Sequence, residues 1–67
     1  MTVYCNEKEL SVEAQTTLFA VLEQAGYSSQ PGIAVAVNSS VVPRAQWHTY
    51  ELVENAKVLV IQATKGG

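Results

Sequence analysis

Thr17-Leu18-Phe19-Ala20-Val21-Leu22-Glu23-Gln24-Ala25-Gly26 decides the architecture of this chain. Leu18, Val21, Leu22 and Ala25 recur at i, i+3, i+4 and i+7, the apolar stripe of a short amphipathic helix. Either Thr16 or Thr17 can cap its start by accepting an orphan backbone N–H. Gly26 suits the left-handed stop just past its end. No other segment keeps that period, so the chain is read as one helix set against strands.

Toward the N-terminus the period falls to two. Met1, Val3 and Cys5 alternate with Thr2, Tyr4 and Asn6, giving a strand with one buried face. Asn6-Glu7-Lys8-Glu9 reads as a polar turn, after which Leu10 and Val12 alternate with polar neighbours and complete a hairpin. Toward the C-terminus, Tyr27 to Gly32 reads as a loop and Ile33 to Val37 as a fully apolar strand. Asn38-Ser39-Ser40 turns the chain, and Val41-Val42 pairs briefly before Pro43 ends that strand. Arg44 to Ala56 is irregular, anchored by Trp47 and Leu52, with Asn55 as a left-handed turn residue. Lys57 to Ala63 is the last strand, and Thr64-Lys65-Gly66-Gly67 a tail.

The class is therefore α+β, a mixed sheet of about five strands with one helix packed across one face. A single helix covers only one face, yet the third and last strands are apolar on both. Parity places Val35, Val37, Val58 and Val60 against the helix. Ala34, Ala36, Leu59 and Ile61 then face outward, as an apolar patch expected to meet a partner.

The chain has 67 residues, 48% of them hydrophobic, which describes a globular module. A domain of this length buries only about 60% of its unfolded surface, too little for a metabolic active site with its own cofactor pocket. Four Lys and Arg against six Glu give a net charge of −2. Lys8, Arg44, Lys57 and Lys65 are scattered, so no basic cluster suits nucleic acid or an anionic membrane. Cys5 and His48, each single, cannot build a four-ligand zinc site or a disulfide. With no signal-like start and no long apolar run, the expected location is cytoplasmic.

The parity of its strand turns Cys5 toward the core, where free thiols are common and inert. His48 lacks a placeable Ser or Cys partner and reads as solvent-exposed. The glutamates read as a solvated surface, with no pair set in a cleft. Arg44 is either a partner contact or a hydrogen-bond donor pinning its loop, and Trp47 a lid on the core rather than a binding hot spot. Gly66-Gly67 is the most informative pair. With Gly at about 7% of residues, two at a given position arise by chance in roughly 0.5% of chains. A Gly-Gly end lacks Cβ atoms and can enter a channel too narrow for side chains. Its α-carboxylate, of pKa about 3.5, is ionised at neutral pH and able to attack the α-phosphate of ATP.

Together these features resemble the β-grasp, or ubiquitin-like, fold and within it the sulfur-carrier family of thiamin biosynthesis, ThiS. The resemblance spans the whole length. It rests on the Met1-to-Asn6 strand, Thr17-Leu18 with Val21-Leu22, Val35-Ala36-Val37-Asn38, Val42-Pro43-Arg44 with Trp47, and Gly66-Gly67. Where the family carries an acidic-Gly-Asp turn before the last strand, this chain has Glu54-Asn55-Ala56, and Asn replaces Gly sterically. The resemblance implies one domain over 1–67 with a flexible tail at about 64–67. It implies that a ThiF-like adenylyltransferase, using ATP and Mg²⁺, adenylates the carboxylate of Gly67. Sulfur from cysteine, through a cysteine desulfurase, then yields a thiocarboxylate, which a ThiG-like thiazole synthase consumes. The chain is then a protein co-substrate, not an enzyme, and binds no cofactor itself. Within the same fold the alternatives are the small subunit of molybdopterin synthase and a ubiquitin-like modifier. From another class, a plain interaction module would use the open sheet face alone.

Overall fold

The computed structural model describes residues 1–27 and 31–62. Five strands, Thr2–Cys5 (β1), Lys8–Ser11 (β2), Ile33–Val37 (β3), Ser40–Val41 (β4) and Lys57–Gln62 (β5), form one mixed sheet in the order β2-β1-β5-β3-β4. The helix, Leu18–Ala25 (α1), packs across one face. The expected loop residues Ser28, Ser29 and Gln30, the expected last-strand end at Ala63 and the expected tail lie outside the described residues.

The helix forms where the period predicts it. The Thr17 hydroxyl accepts a hydrogen bond from Ala20 N–H at 3.2 Å, capping the first turn. Gly26 takes φ 90°, and the N–H groups of Gly26 and Tyr27 close back on the carbonyls of Glu23 and Leu22. That paired closure is the Schellman motif, which needs the left-handed residue glycine supplies. Leu18, Val21 and Leu22 are buried, but Ala25 is exposed. The apolar stripe ends one turn early because the chain leaves the helix at Gly26, and Tyr27 packs against the core in its place.

Both hairpins turn in two residues. Asn6 and Glu7 (φ 50° and 71°) and Asn38 and Ser39 (φ 49° and 74°) are all left-handed, the geometry whose twist matches paired strands. The first turn is therefore shorter than the expected Asn6-to-Glu9 span, and Lys8 and Glu9 already pair with Cys5 and Tyr4. Ser40 likewise belongs to β4 rather than to a turn. Val42 lies past the strand, with its N–H on Val35 C=O at 2.9 Å and its side chain buried.

The segment from Arg44 to Ala56 opens with one 3-10 turn, Arg44–Gln46, which the sequence reading did not expect, and is otherwise irregular; its carbonyls explain why it is ordered. Tyr50 C=O accepts Leu18 N–H at 2.7 Å and Trp47 C=O accepts Phe19 N–H at 3.0 Å. With the Thr17 cap, these satisfy the three N–H groups of the first helical turn, which have no partner inside the helix. Trp47 is 2% exposed and donates its indole N–H to Val42 C=O at 2.9 Å. It is a core residue. Asn55 is left-handed (φ 67°), as expected, and its N–H meets Thr2 C=O at 2.7 Å. Tyr4 N–H bonds Ala56 C=O at 2.9 Å, which starts β5 parallel to β1.

Candidate functional site

The sheet face turned away from the helix is the candidate site. β5 lies at its centre, with β1 on one side and β3 on the other. The register Ala34↔Ile61, Val35↔Val60, Ala36↔Leu59 and Val37↔Val58 sets each pair on a common face. Val35, Val37, Val58 and Val60 are all buried in the core. Leu59 and Ile61 are 51% and 54% exposed, while Ala34 is exposed and Ala36 half-buried. The four outward residues expected from parity are thus brought together on adjacent strands.

Sequence reasoning missed the rest of the patch. Val41, 74% exposed, pairs with Ala36 and joins the same face. The signal was present, because a two-residue turn at Asn38-Ser39 places Val41 opposite Ala36. Tyr4, beside Lys57 in the β1–β5 register, adds a half-buried ring. Tyr4, Ala36, Leu59, Lys57, Asn38 and Asn55 help line a shallow concavity of about 870 Å³ at the end of β5 where that strand begins. An apolar floor with amides, the Ser39 hydroxyl, the Lys57 ammonium and the Glu7 carboxylate at its margin suits a protein surface better than a small molecule.

At its other end β5 reaches Gln62, opposite Ile33. Thr64, Lys65, Gly66 and Gly67 lie outside the described residues.

The remaining candidates carry no site chemistry. Cys5 is 4% exposed in the core, and burial pushes its thiol pKa up, the opposite of what a nucleophilic thiolate needs. Replacing it in a Cys5→Ser variant buries a hydroxyl in an apolar site and is expected to cost about 1–3 kcal/mol by chemical denaturation. His48 is exposed and stacks on Phe19, with ring centroids 3.9 Å apart. The Arg44 guanidinium lies 4.5 Å from the centre of the Trp47 ring, a cation–π contact that seals the core's edge. Among the described residues, no three His, Cys, Asp or Glu side chains gather where a metal ion could sit. No helix there is long and apolar enough to cross a membrane.

The ThiS family model matches residues 1–67. The chain belongs to the ThiS family. It is 31% identical to the sulfur carrier protein ThiS of Escherichia coli over 67 residues, all of both chains. The crystal structure of the thiamine biosynthesis protein ThiS from Geobacter metallireducens superposes with a TM-score of 0.79 across all of both chains, at 19% identity. That likeness makes the five-strand sheet and single helix a ubiquitin-like β-grasp, as the sequence implied. Against this ThiS-family frame, the open sheet face and the strand that leads out of it are the features left for function.

Proposed function

We propose that this chain carries sulfur as a thiocarboxylate on Gly67 and delivers it for thiazole formation in thiamin biosynthesis. Membership of the ThiS family over all 67 residues carries the reading. In the first step a carboxylate oxygen of Gly67 attacks the α-phosphorus of ATP, and pyrophosphate leaves with Mg²⁺. The mixed anhydride is needed because a carboxylate is a poor acyl electrophile and AMP a good leaving group. A sulfur nucleophile derived from cysteine then attacks the acyl carbon and expels AMP. The thiocarboxylate is a soft nucleophile, well suited to transfer inside a water-excluding site.

The chain lowers no barrier of its own. It contributes a terminus slim enough to enter an active site through Gly66-Gly67, a spacer in Thr64 and Lys65, and a face on which to dock. ThiF-like adenylyltransferase, ThiG-like thiazole synthase and a cysteine desulfurase are the partners this chemistry requires, and ATP with Mg²⁺ belongs to the first of them. The adenylation step is tested by ATP–pyrophosphate exchange. A ThiF-like enzyme is expected to exchange label only when this chain is added, and exchange that ignores the chain contradicts the proposal.

The partner surface is assigned to Leu59, Ile61, Ala34 and Ala36, with Val41 beside them. Leu59→Glu and Ile61→Glu put a charge where an interface core forms and are expected to weaken capture by the adenylyltransferase by about tenfold or more. Both side chains are already half in water, so thermal stability changes by only about 0.5 kcal/mol. Unchanged capture removes the outward face from the interface.

A further inference from the structure

Lys57 stands apart from the other charges of the molecule. The chain is acidic, with six Glu against four Lys and Arg, yet the outward concavity is lined by one cation, Lys57, and one carboxylate, Glu7, with Tyr4, Ala36 and Leu59 between the strands. The period of two in β5 sets Lys57 on the same face as Leu59 and Ile61. Its backbone is pinned by one residue of the neighbouring turn: its N–H donates to the Asn38 side-chain oxygen at 3.0 Å, and its C=O accepts Asn38 N–H at 2.8 Å. Tyr4 lies opposite it in the β1–β5 register. The Lys57 side chain is exposed, and its ammonium has no hydrogen-bond or ion-pair partner among the described residues. The other described cations lie elsewhere. Lys8 lines the small cavity on the helix side with Cys5 and Tyr27, and Arg44 lies against Trp47.

A lone ammonium on an apolar floor has a consequence once that floor is covered. In the free chain water solvates it. A protein docked against Leu59 and Ala36 displaces that water, and a desolvated cation without a counter-charge opposes binding strongly. We propose that Lys57 is a specificity-determining residue of the docking face, and that the partner covering this face sets a carboxylate against it. This rests on the sulfur-carrier reading, in which the face docks on a ThiF-like adenylyltransferase. The remaining surface of an acidic chain repels a carboxylate, so the pair at Lys57 also fixes the register in which the sheet seats.

Biolayer interferometry of the full chain on an immobilised ThiF-like adenylyltransferase tests this. Lys57→Glu sets like charges together and is expected to weaken capture by about tenfold or more. Lys57→Arg keeps the charge and is expected to stay within about threefold of wild type. Lys8→Glu makes the same change in net charge on the helix side and is expected to stay within about twofold, because solvent and salt screen it from the interface. Position 57 is exposed, so melting temperatures are expected to agree within about 2 °C. Wild-type capture of Lys57→Glu overturns the proposal. So does an equal loss in Lys8→Glu, which reduces the effect to net charge, or an equal loss in Lys57→Arg, which leaves no role for the charge. A free chain that sediments as a dimer, and that Lys57→Glu converts to a monomer, overturns it as well, since a second copy then covers the face. A wild-type chain that is not captured at all removes the docking reading itself, and the role of Lys57 with it.

Discussion

Deleting Gly67, or adding one residue after it, is expected to abolish thiocarboxylate formation while leaving the fold intact. The two halves of that expectation have separate physical grounds. The core of the described residues runs from Val3 through Val60, and position 67 lies well past it in sequence, so the melting temperature of either variant is expected to match the parent within about 1 °C. Activation, by contrast, depends on where the carboxylate lies. Removing one residue draws it back by about 3.4 Å, several times the displacement of about 1 Å that can cost a hundredfold in rate. Adding one residue moves the carboxylate forward by as much and places an amide where the reacting group was. An amide does not attack the α-phosphate of ATP. Intact-mass analysis after incubation with a ThiF-like enzyme, MgATP and sulfide reads the result directly. Exchange of oxygen for sulfur in the shortened chain would falsify the assignment to Gly67.

The largest effect on folding is expected from Trp47→Ala. Trp47 is the largest of the fully buried side chains, its indole N–H holds Val42 C=O, and its own carbonyl holds the second N–H of the helix. Truncation leaves a cavity and an unsatisfied carbonyl together, worth about 3–5 kcal/mol for a buried Trp. At roughly 0.05–0.15 kcal/mol per residue, a chain of this size holds only about 3–10 kcal/mol in all. The variant is therefore expected to be largely unfolded at 37 °C, seen as lost dispersion in its NMR spectrum and rapid proteolysis. Trp47→Phe fills most of the space and gives up the hydrogen bond, and is expected to fold with a melting temperature lower by about 5–10 °C. A stable Trp47→Ala variant would mean that the ring lies on the core rather than in it.

These two residues also mark what was legible in the sequence. The helix and its stops could be read because a hydroxyl before the apolar stripe and a glycine after it are local signals. Strand faces could be read because parity is a local property: Val35, Val37, Val58 and Val60 were placed inward, and Ala34, Ala36, Leu59 and Ile61 outward, where they lie. Turn boundaries were less legible. Glu7 and Ser39 are left-handed although neither residue type favours it, because the strands on either side dictate the twist. The order of Arg44 to Ala56 was hidden for a different reason. Its partners are the helix N–H groups more than 25 residues away, and no periodicity records a carbonyl aimed at a helix end. Asn6 was hidden for the same reason. It reads as an ordinary turn residue, and only the folded chain shows its side-chain oxygen accepting Val60 N–H from β5 at 2.8 Å.

The central claim is that sulfur travels on the final carboxyl carbon and on no other atom. Its most direct test is top-down mass spectrometry of the wild-type chain after reaction with a ThiF-like enzyme, MgATP and sulfide. The account predicts one oxygen replaced by one sulfur, with the change confined to fragments that contain Gly67. An unmodified terminus, or a sulfur atom added at Cys5 instead, would contradict it.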